Sequence, residues 1–278
     1  MPVKDQAYWE QRAQMQDACH YLDKWTDWYA QVVRRRGVRR VWPKDVVWSV
    51  LDVGCGDGKV SDWMRKTFAW RVDGIDAFEF EGVRDRVDDF VLVDGECIAQ
   101  EFAGCRYGLV TCHTSLAFMT DWRETVRQLA QITDRVLVVE NVQTPTPEWQ
   151  KGLPQKTHLE LPLLIEGFAA AGFSPTAIQP INWLDRGLMV RPLFRLPIMK
   201  PLGVLLTLLV DWFMVDVIRI KPERGRYAAI LFEKNVPPAN VRRDEGKWAD
   251  ITGWSDGTDG SDPVRRSAST EGDKADGS

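Results

Sequence analysis

A glycine-rich turn directly after a short apolar run is the feature that most restricts the fold of this chain. The run VVWSVLDV, residues 46–53, is typical of a strand that is buried on both faces. Gly54, Gly56 and Gly58 follow it at alternate positions. Glycines there allow the backbone to turn sharply and a ligand to approach the main chain closely. The pattern predicts a ligand site at the carboxyl end of the first strand of a doubly wound sheet.

The chain as far as residue 235 alternates short apolar runs with segments of helical periodicity. This alternation predicts an α/β fold with a doubly wound, mostly parallel sheet that is covered by helices on both faces. We expect the first helix to end before Gly37, because the arginines at 34–36 suit the negative end of a helix dipole. Strands are predicted at 46–53, 70–76, 90–93, 108–112, 136–140, 174–181 and 227–233, and helices at 5–36, 59–68, 121–132 and 159–171.

Composition divides the chain into three regions. Residues 1–45 form an N-terminal helical segment, and residues 46–235 form the main domain, in which 183–224 is an apolar insert before the last strand. Residues 236–278 are rich in Asp, Gly, Ser, Arg and Pro. We expect this tail to be disordered, because it has too little apolar surface to offset the entropy lost on ordering.

Charge and cysteine content argue against several classes of protein. A net charge of -4 gives no reason to expect nucleic acid as a partner, although the arginines before Gly37 leave open a contact to acidic lipid or nucleic acid. The five cysteines lack CxxC spacing and the three histidines lack HxxxH spacing, so neither a metal site nor a disulfide framework is predicted. Reduced thiols and the absence of an apolar signal at the N-terminus predict a cytoplasmic protein.

The apolar run at residues 202–218 raises the question of a membrane. It contains Asp211 and Asp216, each of which would cost about 2.5–3.5 kcal/mol at the centre of a bilayer, so a spanning helix is not expected. With cations near its ends, the segment 188–221 suits a peripheral membrane contact or a lipid-like substrate. A helix packed on the core or at a dimer interface is the alternative, and the sequence does not indicate an oligomeric state.

The glycine run VLDVGCGDGKV also resembles motif I of the class I S-adenosylmethionine-dependent methyltransferases, roughly (D/E)xGxGxG. A nicotinamide-binding GxGxxG run would instead need glycine at the position of Lys59. DQAYWEQRA looks like the YWxxRA opening of the same superfamily, and TSLAFMTDW resembles its LeH-pD stretch. The resemblance spans roughly residues 7–234. It implies a Rossmann-like, seven-stranded sheet with an antiparallel last strand, a helical insert before that strand, and S-adenosyl-L-methionine as cofactor.

The resemblance also implies cofactor contacts residue by residue. The loop after the first strand would hold the methionine end of the cofactor. Asp76 closes the second strand where the family's acidic residue accepts hydrogen bonds from the ribose hydroxyls, and Asp94 stands where the family contacts the adenine amino group. The cofactor-binding residues implied in this way are Asp52, Gly54, Cys55, Gly56, Gly58, Asp76, Ala77, Asp94 and Gly95.

Three residues are candidates for handling the acceptor. Methyl transfer needs alignment above all, and a base only if the acceptor must lose a proton. His113 follows the fourth strand, His158 lies in the loop after the fifth, and Glu140 ends the fifth strand at the ligand-binding edge. Packed histidines and a carboxylate that caps a strand end are the alternatives. Gly108 and Phe118 stand where the family often has Asp and His, which removes clues to the acceptor.

The sequence therefore predicts an S-adenosylmethionine-dependent methyltransferase that acts on a small or lipid-like acceptor at oxygen, nitrogen or carbon. A catalytically degenerate binding or scaffold protein with the same fold is the second hypothesis. The intact glycine loop and Asp76 favour the enzyme, whereas the departures from the family pattern leave the scaffold open.

Overall fold

The computed structural model describes residues 24–142, 159–181, 200–219 and 227–234. Within these ranges the chain forms one seven-stranded sheet with helices on both faces. The first part of the predicted N-terminal helix, the loop with His158 and the tail lie outside the described residues.

All seven predicted strands are present, and each begins and ends within one residue of its predicted limits. The strands are β1 (Val47–Val53), β2 (Ala69–Asp76), β3 (Asp89–Leu92), β4 (Leu109–His113), β5 (Arg135–Asn141), β6 (Phe173–Ile181) and β7 (Tyr227–Lys234). The helices in the described ranges are α1 (Lys24–Val41), α2 (Lys59–Thr67), α3 (Ile98–Glu101), α4 (Trp122–Ile132), α5 (Leu161–Ala170) and α6 (Lys200–Trp212). Short 3-10 turns cover Val83–Asp85 and Leu116–Phe118, and a wide π-helical turn covers Phe213–Val217.

The strand order is β3-β2-β1-β4-β5-β7-β6. β7 is antiparallel to both of its neighbours, and the other pairings are parallel. This arrangement confirms the doubly wound α/β fold, its antiparallel last strand and a helix in the insert before that strand.

Alternate residues of the central strands pack into two separate cores. Val50 on β1 lies in the core formed with α1 and α2, whereas the next residue, Leu51, lies in the core formed with α4 and α5. Both side chains are fully buried. Successive residues of a strand point to opposite faces, so a strand covered on both faces needs apolar residues at consecutive positions, as Val50 and Leu51 are.

The carboxyl ends of the parallel strands meet at one edge of the sheet, which we call the carboxyl edge. Because β7 is reversed, it begins at this edge: Tyr227 pairs with Asn141 at the end of β5 and with Ile181 at the end of β6. The insert between β6 and β7 therefore leaves and rejoins the sheet at the carboxyl edge. Among the described residues, no helix is both long and apolar enough to cross a membrane.

The prediction that the first helix ends before Gly37 is wrong, since α1 continues to Val41. Gly37 is buried, and a Cβ atom placed on it would lie 2.3 Å from Cδ1 of Ile181 on β6. The missing side chain thus allows α1 to approach the sheet closely. Val38 and Val41 then continue the buried face of the helix.

We expect Gly37→Ala to destabilise the protein, although the same change inside an ordinary helix is favourable by about 1 kcal/mol. The added methyl group overlaps Ile181, so the free energy of unfolding should fall by about 1–3 kcal/mol. Urea unfolding of Gly37→Ala, Ile181→Ala and the double variant measures the coupling. In the Ile181→Ala background the change should be neutral or stabilising. An equal loss in both backgrounds would contradict this explanation.

Candidate functional site

A cavity opens at the carboxyl edge of the sheet, between the ends of β1, β2, β3 and β4. Its volume is about 760 Å³ when the open solvent at its mouth is included. Its lining includes Gly54 and Gly56 after β1, Asp76 and Ala77 at the end of β2, Asp94 and Gly95 after β3, and His113 on β4. Parallel strands bring these residues together although they are far apart in the sequence.

The turn after β1 depends on glycine at position 54. Gly54 has φ of +71°, and a Cβ atom there would lie 2.4 Å from Cβ of Ser115. The backbone N–H groups of Gly54 and Cys55 donate to the carbonyl oxygen of Ile75 at 2.8 and 3.0 Å. The turn is thus folded tightly against the end of β2, which leaves its main chain exposed to the cavity.

Asp76 connects that turn to the end of β2. Its Oδ2 accepts from the N–H of Gly56 at 2.9 Å, and its Oδ1 accepts from the N–H of Phe78 at 3.1 Å. An ionised carboxylate has about four lone-pair sites, so it can accept further hydrogen bonds from a ligand. Asp94 follows β3, the next strand outward; it is exposed at the cavity, and its side chain accepts from the N–H of Glu96 at 3.1 Å.

The side chain of Asp52 does not line the cavity. The carboxylate is buried and accepts from the Ser61 hydroxyl on α2 at 2.6 Å and from the Thr111 hydroxyl on β4 at 2.8 Å. Burial raises the pKa of this carboxyl to about 6. Asp52 therefore holds three elements together beneath the turn.

Cys55 and Gly58 are likewise outside the lining. The Cys55 side chain packs behind the turn with Val83, Val87 and Phe90, and burial raises the pKa of its thiol far above the ordinary value. Gly58, with φ of +75°, caps the start of α2. The structure thus brings six of the nine implied cofactor residues to the cavity lining. The other three, Asp52, Cys55 and Gly58, pack behind or next to the turn that forms part of that lining.

His113 lies in the wall of the cavity and is 7% exposed. Neither ring nitrogen has a hydrogen-bond partner among the described residues. Burial, assisted by the positive charge of Arg34, lowers the pKa of the imidazole to about 3. The ring is therefore neutral at physiological pH. A buried polar group without a partner costs about 1–3 kcal/mol, which is consistent with a partner supplied by a ligand.

Glu140, by contrast, is fully buried and is not part of the lining. Its Oε1 accepts from the N–H of Ala117 at 3.4 Å, in the short turn after β4. His158, the third candidate for handling the acceptor, lies outside the described residues.

Several lining residues were not among the site residues predicted from the sequence. Phe80, Phe118 and Met119 give the cavity apolar walls, and the TSLAFMTDW stretch was the available indication for the last two. Thr114 has φ of +57°, which is uncommon for a residue other than glycine and is found at functional sites. No sequence pattern indicated that conformation.

The lining fits S-adenosylmethionine. Asp76 and Asp94 are acceptors suited to the ribose hydroxyls and an adenine amino group, and Ala77 and Phe80 offer apolar surface to a ring. His113 supplies the buried polar atoms that lack a partner in the described chain. Among the described residues, no group of His, Cys, Asp and Glu is arranged to hold a metal ion.

Replacing the two glycines of the turn by alanine should separate backbone strain from steric overlap. Gly56 has φ of +59° and open space where a Cβ atom would stand, so Gly56→Ala should cost about 1–2 kcal/mol of unfolding free energy. Gly54→Ala should cost about 1–3 kcal/mol more, because its methyl group also overlaps Ser115. Urea unfolding of both variants measures this difference, and equal losses would rule out the overlap.

The pKa of His113 predicts a pH dependence of stability. The imidazole of His113 has a pKa of about 3 in the folded protein and about 6.5 in the unfolded chain, so the unfolded chain binds a proton at the higher pH. The stability of the folded protein that depends on neutral His113 is therefore complete above pH 6.5 and is lost as the pH falls towards 3. From pH 7 to pH 5 the wild type should therefore lose about 2 kcal/mol relative to His113→Asn. Asp52 titrates in the same range but is common to both proteins. Urea unfolding at the two pH values gives the comparison, and parallel pH curves would contradict a buried neutral histidine.

Comparisons with known proteins agree with the fold and the site. The family described as "Methyltransferase domain" matches residues 20–173. A solved S-adenosylmethionine-dependent methyltransferase of Thermotoga maritima is 12% identical with a TM-score of 0.56, covering 82% of this chain and 100% of its own. A chain from the complex of the Haloferax volcanii Trm112 methyltransferase activator with a methyltransferase is 18% identical with a TM-score of 0.55, covering 81% and 93%. An S-adenosylmethionine-dependent methyltransferase of Mesorhizobium loti is 13% identical with a TM-score of 0.51, covering 73% and 98%.

No curated protein matches the sequence. The structural likenesses, all below 20% identity, support the fold alone, whereas the family match extends over more than half of the chain. The chain belongs to the methyltransferase domain family, within the class I superfamily whose cofactor is S-adenosylmethionine.

Proposed function

We propose that this protein transfers a methyl group from S-adenosylmethionine to a small or lipid-like acceptor. The observation that carries the proposal is the cavity at the carboxyl edge, lined by the glycine turn, two carboxylates and His113, whose ring nitrogens have no hydrogen-bond partner in the part of the chain that the structure describes. Such an edge is where doubly wound sheets bind ligands. The atom methylated, whether oxygen, nitrogen or carbon, is left open by the proposal.

The residues of the cavity hold and align the reactants. Asp76 accepts hydrogen bonds from the ribose hydroxyls, Asp94 faces the adenine amino group, and the backbone at Gly54 and Gly56 lies against the methionine end. The cofactor supplies a methyl group on a positively charged sulfur, which is already a good leaving group. Phe80 and Met119 exclude water from the same space. Alignment in a water-poor cavity is the main contribution that such a protein makes to methyl transfer.

His113 orients the acceptor through a hydrogen bond. A neutral imidazole has one N–H donor and one nitrogen lone pair, so it can either donate to the acceptor or accept from it. Its low pKa makes it a weak base, and it accepts a proton only from an acceptor that becomes acidic as positive charge develops on it. Glu140 acts indirectly, through the turn that it holds at Ala117. His158 is a second candidate for proton transfer.

The insert before β7 is the part of the chain that selects the acceptor. It starts after Ile181 and ends before Tyr227, both at the carboxyl edge. Antiparallel strands can be joined by two residues, so the connection itself does not require a segment of 45 residues. The apolar character of the insert supports a lipid-like acceptor and a peripheral contact with a membrane.

Titration calorimetry with S-adenosylmethionine tests the cofactor site. The affinity should fall at least tenfold, about 1.4 kcal/mol, in Asp76→Asn, because one acceptor oxygen is replaced by a donor. Asp85→Asn is a matched control, since Asp85 is an exposed carboxylate outside the cavity, and it should bind like the wild type. If folded wild-type protein neither binds the cofactor nor is stabilised by it, the enzyme proposal fails and a scaffold role is favoured.

A further inference from the structure

Large apolar side chains form an exposed stripe along α6. They recur at steps of three and four residues, so they share one face of the helix. Each is between 40% and 53% exposed. The stripe consists of Leu202, Leu205, Leu206, Leu209, Trp212 and Phe213.

The wide turn after α6 extends this stripe. The N–H of Ile218 donates to the carbonyl oxygen of Phe213 at 2.9 Å, so the chain advances five residues in that turn. Val217 and Ile218 are 50% and 53% exposed, whereas Val215 is 5% exposed. The π-helical turn therefore keeps apolar residues on the outer face and turns Val215 inward.

The opposite side of α6 is the side that faces the protein. Gly203 and Val215 are buried, and Leu208 packs against the core that contains α1. The stripe is thus not the surface by which α6 attaches to the domain. A contiguous exposed apolar face of this kind marks an interaction site in soluble proteins.

The segment that carries the stripe is basic in sequence, although the chain is acidic overall. Between residues 183 and 226 there are eight Lys and Arg against four Asp and Glu, whereas the whole chain has a net charge of -4. Arg219, which directly follows the stripe, is exposed and has no ion pair within the described ranges. The neighbouring helix α1, which contacts α6, has five arginines within residues 34–40.

The positive charge of this segment favours an anionic membrane over a second copy of the chain as the partner. A second copy of the chain, packed through the same face, would bring these cations against one another, because the same patch meets itself across a two-fold axis. An anionic bilayer surface instead attracts cations and accepts apolar side chains. The 13 residues of α6 are too few to span a bilayer but enough to lie in its surface.

We propose that the stripe binds an anionic membrane, with α6 lying in the boundary between headgroups and acyl chains. The insert that carries α6 is anchored at both ends to the carboxyl edge, where the cavity opens. A membrane bound by the stripe would thus contact a segment whose two ends are at the edge where the cavity opens. This inference goes beyond the proposed methyl transfer, because membrane binding requires neither cofactor nor turnover.

Co-sedimentation of the full chain with lipid vesicles tests the proposal. Wild-type protein should bind vesicles of phosphatidylcholine mixed with phosphatidylglycerol, and should bind pure phosphatidylcholine more weakly. Leu209→Glu puts a charge in the middle of the stripe and should reduce binding by roughly tenfold or more. Leu92→Glu is the matched control, because Leu92 is 56% exposed and Leu209 is 53% exposed, but Leu92 lies on β3. It should bind like the wild type.

Three results would overturn the proposal. Folded wild-type protein that does not bind the anionic vesicles is the first, and equal loss of binding in both variants is the second. The third is a wild-type protein that is dimeric, becomes monomeric in Leu209→Glu, and binds vesicles in neither form. That result would make the stripe a self-association surface. Titration of the same samples with S-adenosylmethionine reports on the cofactor site separately, so failure of membrane binding and failure of cofactor binding are distinguishable.

Discussion

The buried carboxylate of Asp52 joins the elements from which the cavity is built. Hydroxyl groups from α2 and from β4 donate to its two oxygens at 2.6 and 2.8 Å, directly beneath the glycine turn. Burial raises its pKa to about 6, so its contribution to stability is greatest below pH 3.8 and is lost as the pH rises through 6. At neutral pH an ionised carboxylate is thus kept inside the protein at a cost in stability. The two hydroxyl hydrogen bonds hold the end of β1 against α2 and β4, just before the turn whose main chain faces the cavity.

From that point the arrangement of the site follows from strand pairing. β1 and β2 are parallel neighbours, so Asp52 pairs with Gly74 and Val53 with Ile75, and the turn after β1 meets the end of β2. Asp76 is then close enough to accept from the N–H of Gly56. The residue expected to bind the ribose is therefore also a structural residue of the loop. β3 pairs with β2 and β4 pairs with β1, both in parallel, so Asp94 and His113 lie at the same carboxyl edge.

The fold could be predicted from the sequence because burial on both faces requires strands with apolar residues at consecutive positions. The run at 46–53 shows this directly, and the glycines after it indicate the ligand edge. Gly37 was misread because a glycine at a helix end and a glycine at a close helix–sheet contact look alike until the partner, Ile181, is known. The side chains of Asp52 and Cys55 lie behind the turn and not in the cavity lining. This depends on which way each side chain points, which the spacing of the motif does not specify. The low pKa of His113 depends on burial by residues distant in the sequence.

The reversed direction of β7 explains how one fold can keep a cofactor site and vary its acceptor. If β7 ran parallel to β6, its connection would have to cross a face of the sheet, and any added length would disturb the packing there. Because β7 is antiparallel, the connection stays at the carboxyl edge, where Ile181 and Tyr227 are paired. Residues added at this point leave the strand pairings of the sheet unchanged, and the two ends of the added segment lie at the edge where the cavity opens. The segment that contains α6 can therefore vary without changing the cavity residues on β1, β2 and β4.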